Sequence, residues 1–144
     1  MISSITLHVG LGTFLPIKTE NILRHKMHSE LAEINSQTAK RLNQAKKQGK
    51  RIIAVGTTAA RTLEGFSGTS GKLSAQKKET NIFIYPGYQF KFIDGLITNF
   101  HLPKSTLLIL VSALAGKKNI GRAYQEAICQ HYRFYSFGDG MLIE

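Results

Sequence analysis

A short apolar strand, Leu96–Thr98, opens into the polar loop Asn99-Phe100-His101-Leu102-Pro103-Lys104-Ser105-Thr106. It then runs straight into Leu107–Ala115, a helix that is apolar except at Ser112. That helix is far too short to cross a membrane and must be buried against another layer. A strand, a loop and a buried helix in succession restrict the chain to folds in which helices cover a sheet. The loop places an amide, an aromatic, an imidazole, an ammonium and two hydroxyls on a rigid support, where ligand-facing groups are best held.

The remaining segments repeat the alternation. Ile5–Val9 reads as a strand ending in Gly10-Leu11-Gly12, and His28–Ile34 as an extended segment. Ser36 reads as the N-cap of a basic helix over Gln37–Gln48, stopped by Gly49. Arg51–Val55 is a buried strand by its β-branched run, followed by Gly56-Thr57-Thr58 and a helix over Ala59–Glu64. Gly65–Glu79 has no periodicity and reads as a loop. Ile82–Tyr85 is a strand, Pro86-Gly87 a turn, and Tyr88, Phe90 and Phe92 alternate as on a half-buried strand. Asn119 caps a last helix, and Arg133–Phe137 and Met141–Ile143 are extended. The expected class is α/β: a layered α/β/α domain with one mixed sheet holding Ile5–Val9, Arg51–Val55, Ile82–Tyr85 and Leu96–Thr98.

Charge narrows the partners. A net charge of +10, clustered at Lys46-Lys47, Lys50-Arg51, Lys77-Lys78 and Lys117-Lys118, favours a polyanion but equally describes a solvated surface. The single cysteine, Cys129, cannot close an internal disulfide. The opening Met1-Ile2-Ser3-Ser4 lacks the pattern of a signal peptide, so a cytoplasmic location and no membrane association are expected.

Several constellations carry chemistry, each with a plainer structural alternative. His25-Lys26-Met27-His28-Ser29-Glu30 places two imidazoles near a carboxylate but lacks the His-Glu-x-x-His pattern and cysteine partners, so no metal is expected. Gly10-Leu11-Gly12-Thr13 can turn backbone N–H groups toward an anion or serve only as a turn. Gly56-Thr57-Thr58 ends a strand and begins a helix, the place where open α/β sheets bind ligands; Arg61 lies one turn on. The threonines also suit simple capping. In Tyr132–Met141, aromatics interleave with Arg133 and Asp139, fitting either base stacking or core packing.

Read in order, Leu7–Phe14, His25–Glu30, Ala54–Thr58 with Arg61–Glu64, Ile82–Tyr88, Ile97–Ala113 and Tyr132–Met141 resemble the S-adenosylmethionine:tRNA ribosyltransferase-isomerase family of the queuosine pathway. The resemblance implies an enzyme that uses AdoMet as a ribosyl donor. The ribosyl moiety goes to 7-aminomethyl-7-deazaguanine at the wobble position of tRNA, and isomerisation yields epoxyqueuosine with release of adenine and methionine. It implies no cofactor beyond AdoMet as co-substrate. It covers only the C-terminal part of members, so residues 1–144 correspond to part of their α/β domain without the inserted β-barrel domain. A separately encoded N-terminal half is then an expected partner. The alternative is a truncated, inactive remnant that keeps tRNA or nucleotide binding. Two departures stand out: Asn81 where members carry an acidic residue, and Gly140 where they carry alanine.

The family reaction needs a base beside the sulfonium, an acid for departing adenine, and donors for ribose and methionine. General acid–base work favours imidazoles, so His101, His28 and His8 are the natural candidates. Asp139 or Glu30 can orient an imidazole or hold ribose hydroxyls. By residue chemistry His101, His28 and Asp139 are the candidates for catalysis, with the choice among them open. His8, Gly10, Gly12, Glu30, Thr57, Thr58, Arg61, Asn99, Phe100 and Lys104 are the candidates for substrate binding. A piece of a longer member should also leave apolar surface uncovered.

Overall fold

The β-branched run after Arg51 folds as β3 (Ile53–Val55), and Gly56 turns the chain directly into α2 (Thr57–Ser67). The computed structural model describes residues 1–10, 16–17, 19 and 21–144. Before this pair come β1 (Thr6–Leu7), β2 (Glu30–Ile34) and α1 (Ser36–Lys47). After it come β4 (Gln76–Thr80), β5 (Gly95–Asn99), α3 (Thr106–Ala115), α4 (Lys117–Cys129) and β6 (Gly140–Ile143).

The class is α/β, but the described strands form two three-stranded sheets where a single sheet was expected. One is antiparallel in the order β1-β2-β4. The other is mixed, in the order β3-β5-β6: β3 runs parallel to β5, and β6 antiparallel to it. Helix α2 packs against strands of both sheets and so joins them. Its Ala60, Leu63 and Phe66 share a core with Ala32 and Ile34 from one sheet and Ala54 and Leu96 from the other. The apolar α3 contributes the buried Leu110 and Val111 and rests on β6 and α4.

Gly65–Glu79 is not a loop throughout. Its first residues extend α2, and Gln76–Thr80 is β4. That strand has almost no apolar residues to reveal it; it forms because β2 supplies the buried face. Cross-strand polar contacts support it, Lys77 to Glu33 at 3.5 Å and Ser29 Oγ to Glu79 at 2.7 Å.

Ile82–Tyr85 and Tyr88–Phe92 are not strands. The amides of Lys91, Phe92 and Ile93 each donate to the Glu64 carboxylate at 2.9 Å, and Tyr88 Oη donates to it at 3.0 Å. Amides spent on a carboxylate cannot build a ladder.

The helix starts also shift. Asn35, not Ser36, caps α1 through Thr38 N at 2.8 Å. Gly116, with φ 84°, precedes α4, so Asn119 lies inside the helix and donates to Ala115 O at 2.8 Å. Arg133–Phe137 is a turn, with Tyr135 at φ 65°.

Candidate functional site

Gly56 is the pivot. Its φ of 88° belongs to the region where a Cβ is strained, and it lets β3 enter α2 with no intervening loop. No side chain caps α2, and its first intrahelical backbone bond is Ala60 N–H to Gly56 O. The N–H groups at its start therefore remain available to an anion.

Beside them lies the end of β5. Parallel pairing of Val55 with Ile97 sets Gly56-Thr57-Thr58 next to Thr98–Leu102. Together with Val9, Ser105, Leu107, Tyr135 and Ser136 these residues line a cavity of about 360 Å³. Thr57, Thr58, Asn99, Phe100 and His101, singled out from sequence, thus meet across more than forty residues of chain.

His101 is buried, 9% exposed, with Nε2 3.1 Å from Thr98 Oγ1. Its backbone N–H donates to Tyr124 Oη at 2.6 Å. Burial lowers its pKa to about 4, so the imidazole is neutral at pH 7. Phe100 packs among Tyr124, Tyr132 and Phe134 at ring separations of 5.0 to 5.9 Å, which makes it a support for the loop as well as a wall of the cavity.

Asp139 does not line the cavity. Its carboxylate accepts from the Arg133 backbone N–H, from Nε at 3.1 Å and from Nη2 at 2.9 Å. These bonds hold its pKa down to about 2. An acid so strongly ionised cannot deliver a proton near neutrality. Its carbonyl accepts from Asn99 Nδ2 at 3.2 Å, and Tyr135 N–H donates to Phe100 O at 2.9 Å. The Arg133–Asp139 staple thereby folds back the turn that brings Tyr135 and Ser136 to the cavity. Both lie in the Tyr132–Met141 block but neither was named as a site residue, because their position depends on a left-handed turn that composition does not announce.

A second cluster gathers Gly10, His28, Glu30 and Arg61. Glu30 is buried on β2 and accepts from Arg61 Nη1 and, at 3.1 Å, from Gly10 N–H; His28 Nε2 lies 3.4 Å from it. Arg61 is 2% exposed, and its Nε and Nη2 find no hydrogen-bond partner among the described residues. Burial lowers its pKa against the opposing pull of Glu30. Arg61 therefore does not reach the cavity directly. One turn of α2 and the Val9-Gly10 step join this cluster to it.

His8 and Lys104 are exposed and stand apart from both groups, each engaged through its backbone: His8 N–H to Leu31 O and Lys104 O to Ile17 N–H. Gly12 lies outside the described residues. Among the described residues no group of His, Cys, Asp and Glu could hold a metal, and no helix is long and apolar enough to cross a membrane. Part of the basic surface has structural partners, as Lys46 Nζ donates to Phe92 O at 2.6 Å, whereas Lys117, Lys118 and Arg122 stand exposed on α4.

A cavity at the carboxyl ends of β3 and β5, beside a helix N-terminus, defines an α/β ligand-binding fold. The chain belongs to the family described as Queuosine biosynthesis protein, whose model matches residues 1–143.

It is 60% identical over 142 residues to an S-adenosylmethionine:tRNA ribosyltransferase-isomerase from Desulfitobacterium hafniense, covering 99% of this chain and 42% of that protein. A relative of the same description from Caldanaerobacter subterraneus is 61% identical over 139 residues, covering 96% and 41%. Among solved structures it resembles an S-adenosylmethionine tRNA ribosyltransferase from Thermotoga maritima, with TM-score 0.72 and 46% identity over 80% of this chain and 40% of that one. The chain thus spans about two fifths of the length of these relatives.

Proposed function

We propose that this chain supplies part of the catalytic domain of an AdoMet-dependent tRNA ribosyltransferase-isomerase. The complete enzyme transfers and isomerises the ribosyl moiety of AdoMet onto 7-aminomethyl-7-deazaguanine at the wobble position of tRNA, in the cytoplasm, with AdoMet as co-substrate and no further cofactor. In it, residues 1–144 form the C-terminal part of a layered α/β/α domain, and the inserted β-barrel domain lies in the part this chain lacks. The observation that carries this reading is the meeting of Gly56-Thr57-Thr58 with Asn99-Phe100-His101 around one cavity in a member of this family.

Each lining group has a role that follows from its chemistry. The N-terminus of α2 and the hydroxyls of Thr57 and Thr58 hold the methionine carboxylate, favoured there by the helix dipole. Asn99 holds ribose hydroxyls at the rim. His101, neutral and fixed by Thr98, takes the proton beside the sulfonium. The other candidate base is His28, which Glu30 orients. Arg61 is a positioning residue that fixes Glu30 beneath Gly10 and His28. Asp139 positions the Tyr135-Ser136 turn. Lys104 and the exposed lysines of α4 meet tRNA phosphates.

Adenine release from AdoMet, measured with tRNA bearing the modified base, tests this reading. The chain co-expressed with the remaining part of the family protein should release adenine, and the chain alone should not. His101→Asn in the pair should slow release by about 10²-fold. An unchanged rate would move the base to His28. Binding of tRNA with no adenine release from the pair would instead identify an inactive remnant.

A further inference from the structure

The mixed sheet is finished on one face and bare on the other. Ile52, Ala54, Leu96 and Ile143 point into the core, whereas Val55, Ile97 and Leu142 are 70%, 43% and 56% exposed. The register sets these three side by side, Val55 opposite Ile97 and Ile97 opposite Leu142, as one apolar row across all three strands. All-parallel sheets occur almost only where both faces are covered, and β3–β5 is the parallel pair of this mixed sheet.

The edge is bare as well. Gly56 N–H donates to Ile97 O at 2.8 Å and Asp94 N–H to Ile52 O at 2.8 Å, so the even-numbered residues of β3 turn toward β5. The N–H and C=O groups of Ile53 and Val55 face the opposite side, where no described strand pairs with β3. A groove of about 770 Å³ runs beside that edge, walled by Ile2, Ile5, Leu42, Ala59 and Leu63. An unpaired edge flanked by an apolar groove is a template for another strand.

We propose that this edge and face dock the part of the family protein that the chain does not contain, which adds a strand to the free side of β3 and lays an apolar layer over the Val55–Ile97–Leu142 row. The occupant follows from coverage: nearly the whole chain matches, yet only 42% of the Desulfitobacterium relative is accounted for. A second copy fits poorly. It would bring the Lys50-Arg51 rim of the groove against itself in a chain of net charge +10. The docked part also reaches the cavity, because Val55 precedes Gly56 and Ile97 lies two residues before Asn99. The inference rests on family membership and not on the catalytic roles assigned above.

The test co-expresses the tagged chain with the residues of the Desulfitobacterium relative that lie outside the matched stretch. A 1:1 complex by size-exclusion chromatography with light scattering is expected. Val55→Lys, Ile97→Lys and Leu142→Lys, all outward-facing, should keep the circular dichroism spectrum and weaken the complex at least about tenfold each. Hydrogen exchange at the Ile53 and Val55 amides should slow in the complex while Ala54, already bonded to β5, is unaffected. A single-chain fusion of the two parts gives the same exchange readout if the separate part is insoluble. A complex indifferent to the three lysines, unchanged exchange at Ile53 and Val55, or a homodimer that buries the row would overturn the proposal. No turnover is needed, so a failed adenine assay leaves this result standing.

Discussion

Glu30 and Glu64 are both buried carboxylates, 2% and 1% exposed, and α2 serves both, yet they are satisfied in opposite ways. Glu64 takes three backbone amides and one phenol, all neutral, and ties the Tyr88–Ile93 segment to the helix. Its charge is spread over fixed dipoles, and burial of the Tyr88 phenol, followed by the nearby Glu64 charge, raises the pKa of Tyr88. Glu30 is held by a cation whose Nε and Nη2 find no partner among the described residues, next to an imidazole and a glycine amide. The first arrangement needs nothing more from its surroundings. The second holds charges and a titratable ring one helical turn from a cavity. Burial alone does not separate a structural carboxylate from one serving a site; the kind of partner does.

The largest expected effect tests the structural half of this contrast. Glu64→Ala strands two buried amides, Phe92 and Ile93, and the part-buried amide of Lys91, and should cost about 5 kcal/mol in urea unfolding. A loss near that of an ordinary surface substitution would show that the segment is held by its aromatic contacts instead.

Arg61→Met comes next. Leaving Glu30 buried without its cation should cost about 4 kcal/mol, and the double variant Arg61→Met with Glu30→Gln should recover most of it. Failure to recover would mean that Glu30 is as purely structural as Glu64. In the co-expressed pair, Arg61→Met with Glu30→Gln should lower adenine release while keeping most of the stability, and Glu64→Gln the reverse.

A third group sharpens the comparison because it is buried with no charge to balance it. The pKa of His101 is depressed to about 4 from an ordinary 6.5. Between these values the unfolded chain binds a proton that the folded chain refuses. Stability is therefore complete above pH 6.5 and declines as pH falls toward 4, by about 3 kcal/mol in all. Unfolding free energies across that window should show the decline, and His101→Asn should flatten it. The imidazole is too enclosed for His101→Ala to be a neutral probe of the fold, despite its position on a loop.

The smallest effect is expected at the exposed Arg133–Asp139 staple. Arg133→Ala should leave thermal unfolding almost unchanged. It should nevertheless weaken AdoMet binding in the pair, since it frees the turn that carries Tyr135 and Ser136. A large drop in melting temperature would reclassify the turn as structural.

Most elements, and the two blocks that line the cavity, were legible in the sequence. β-branched runs and helical spacing reflect local burial, and Gly56-Thr57-Thr58 and Asn99–His101 each follow a strand that a parallel sheet brings side by side. Other features were not. The polar β4 has no pattern of its own and is a strand only because β2 lies beside it. Tyr88–Phe92 alternates like a strand, but its amides are claimed by Glu64 from another element. Arg61, on a helix that begins at the cavity, looked like a ligand-binding cation and instead turns inward to Glu30.

The sequence by itself determined the α/β class, the family, and which short blocks carry polar groups next to strand ends, because these depend on residue type and near-neighbour spacing. The tertiary structure alone decided that the described strands divide into two sheets, that Arg61 and Asp139 are taken by partners, that Tyr135 and Ser136 complete the cavity, and that no described strand pairs with the outer edge of β3. Those outcomes turn on which groups far apart in sequence reach one another first. Every buried charge and every amide must find a partner in three dimensions, and local sequence does not say which partner will arrive.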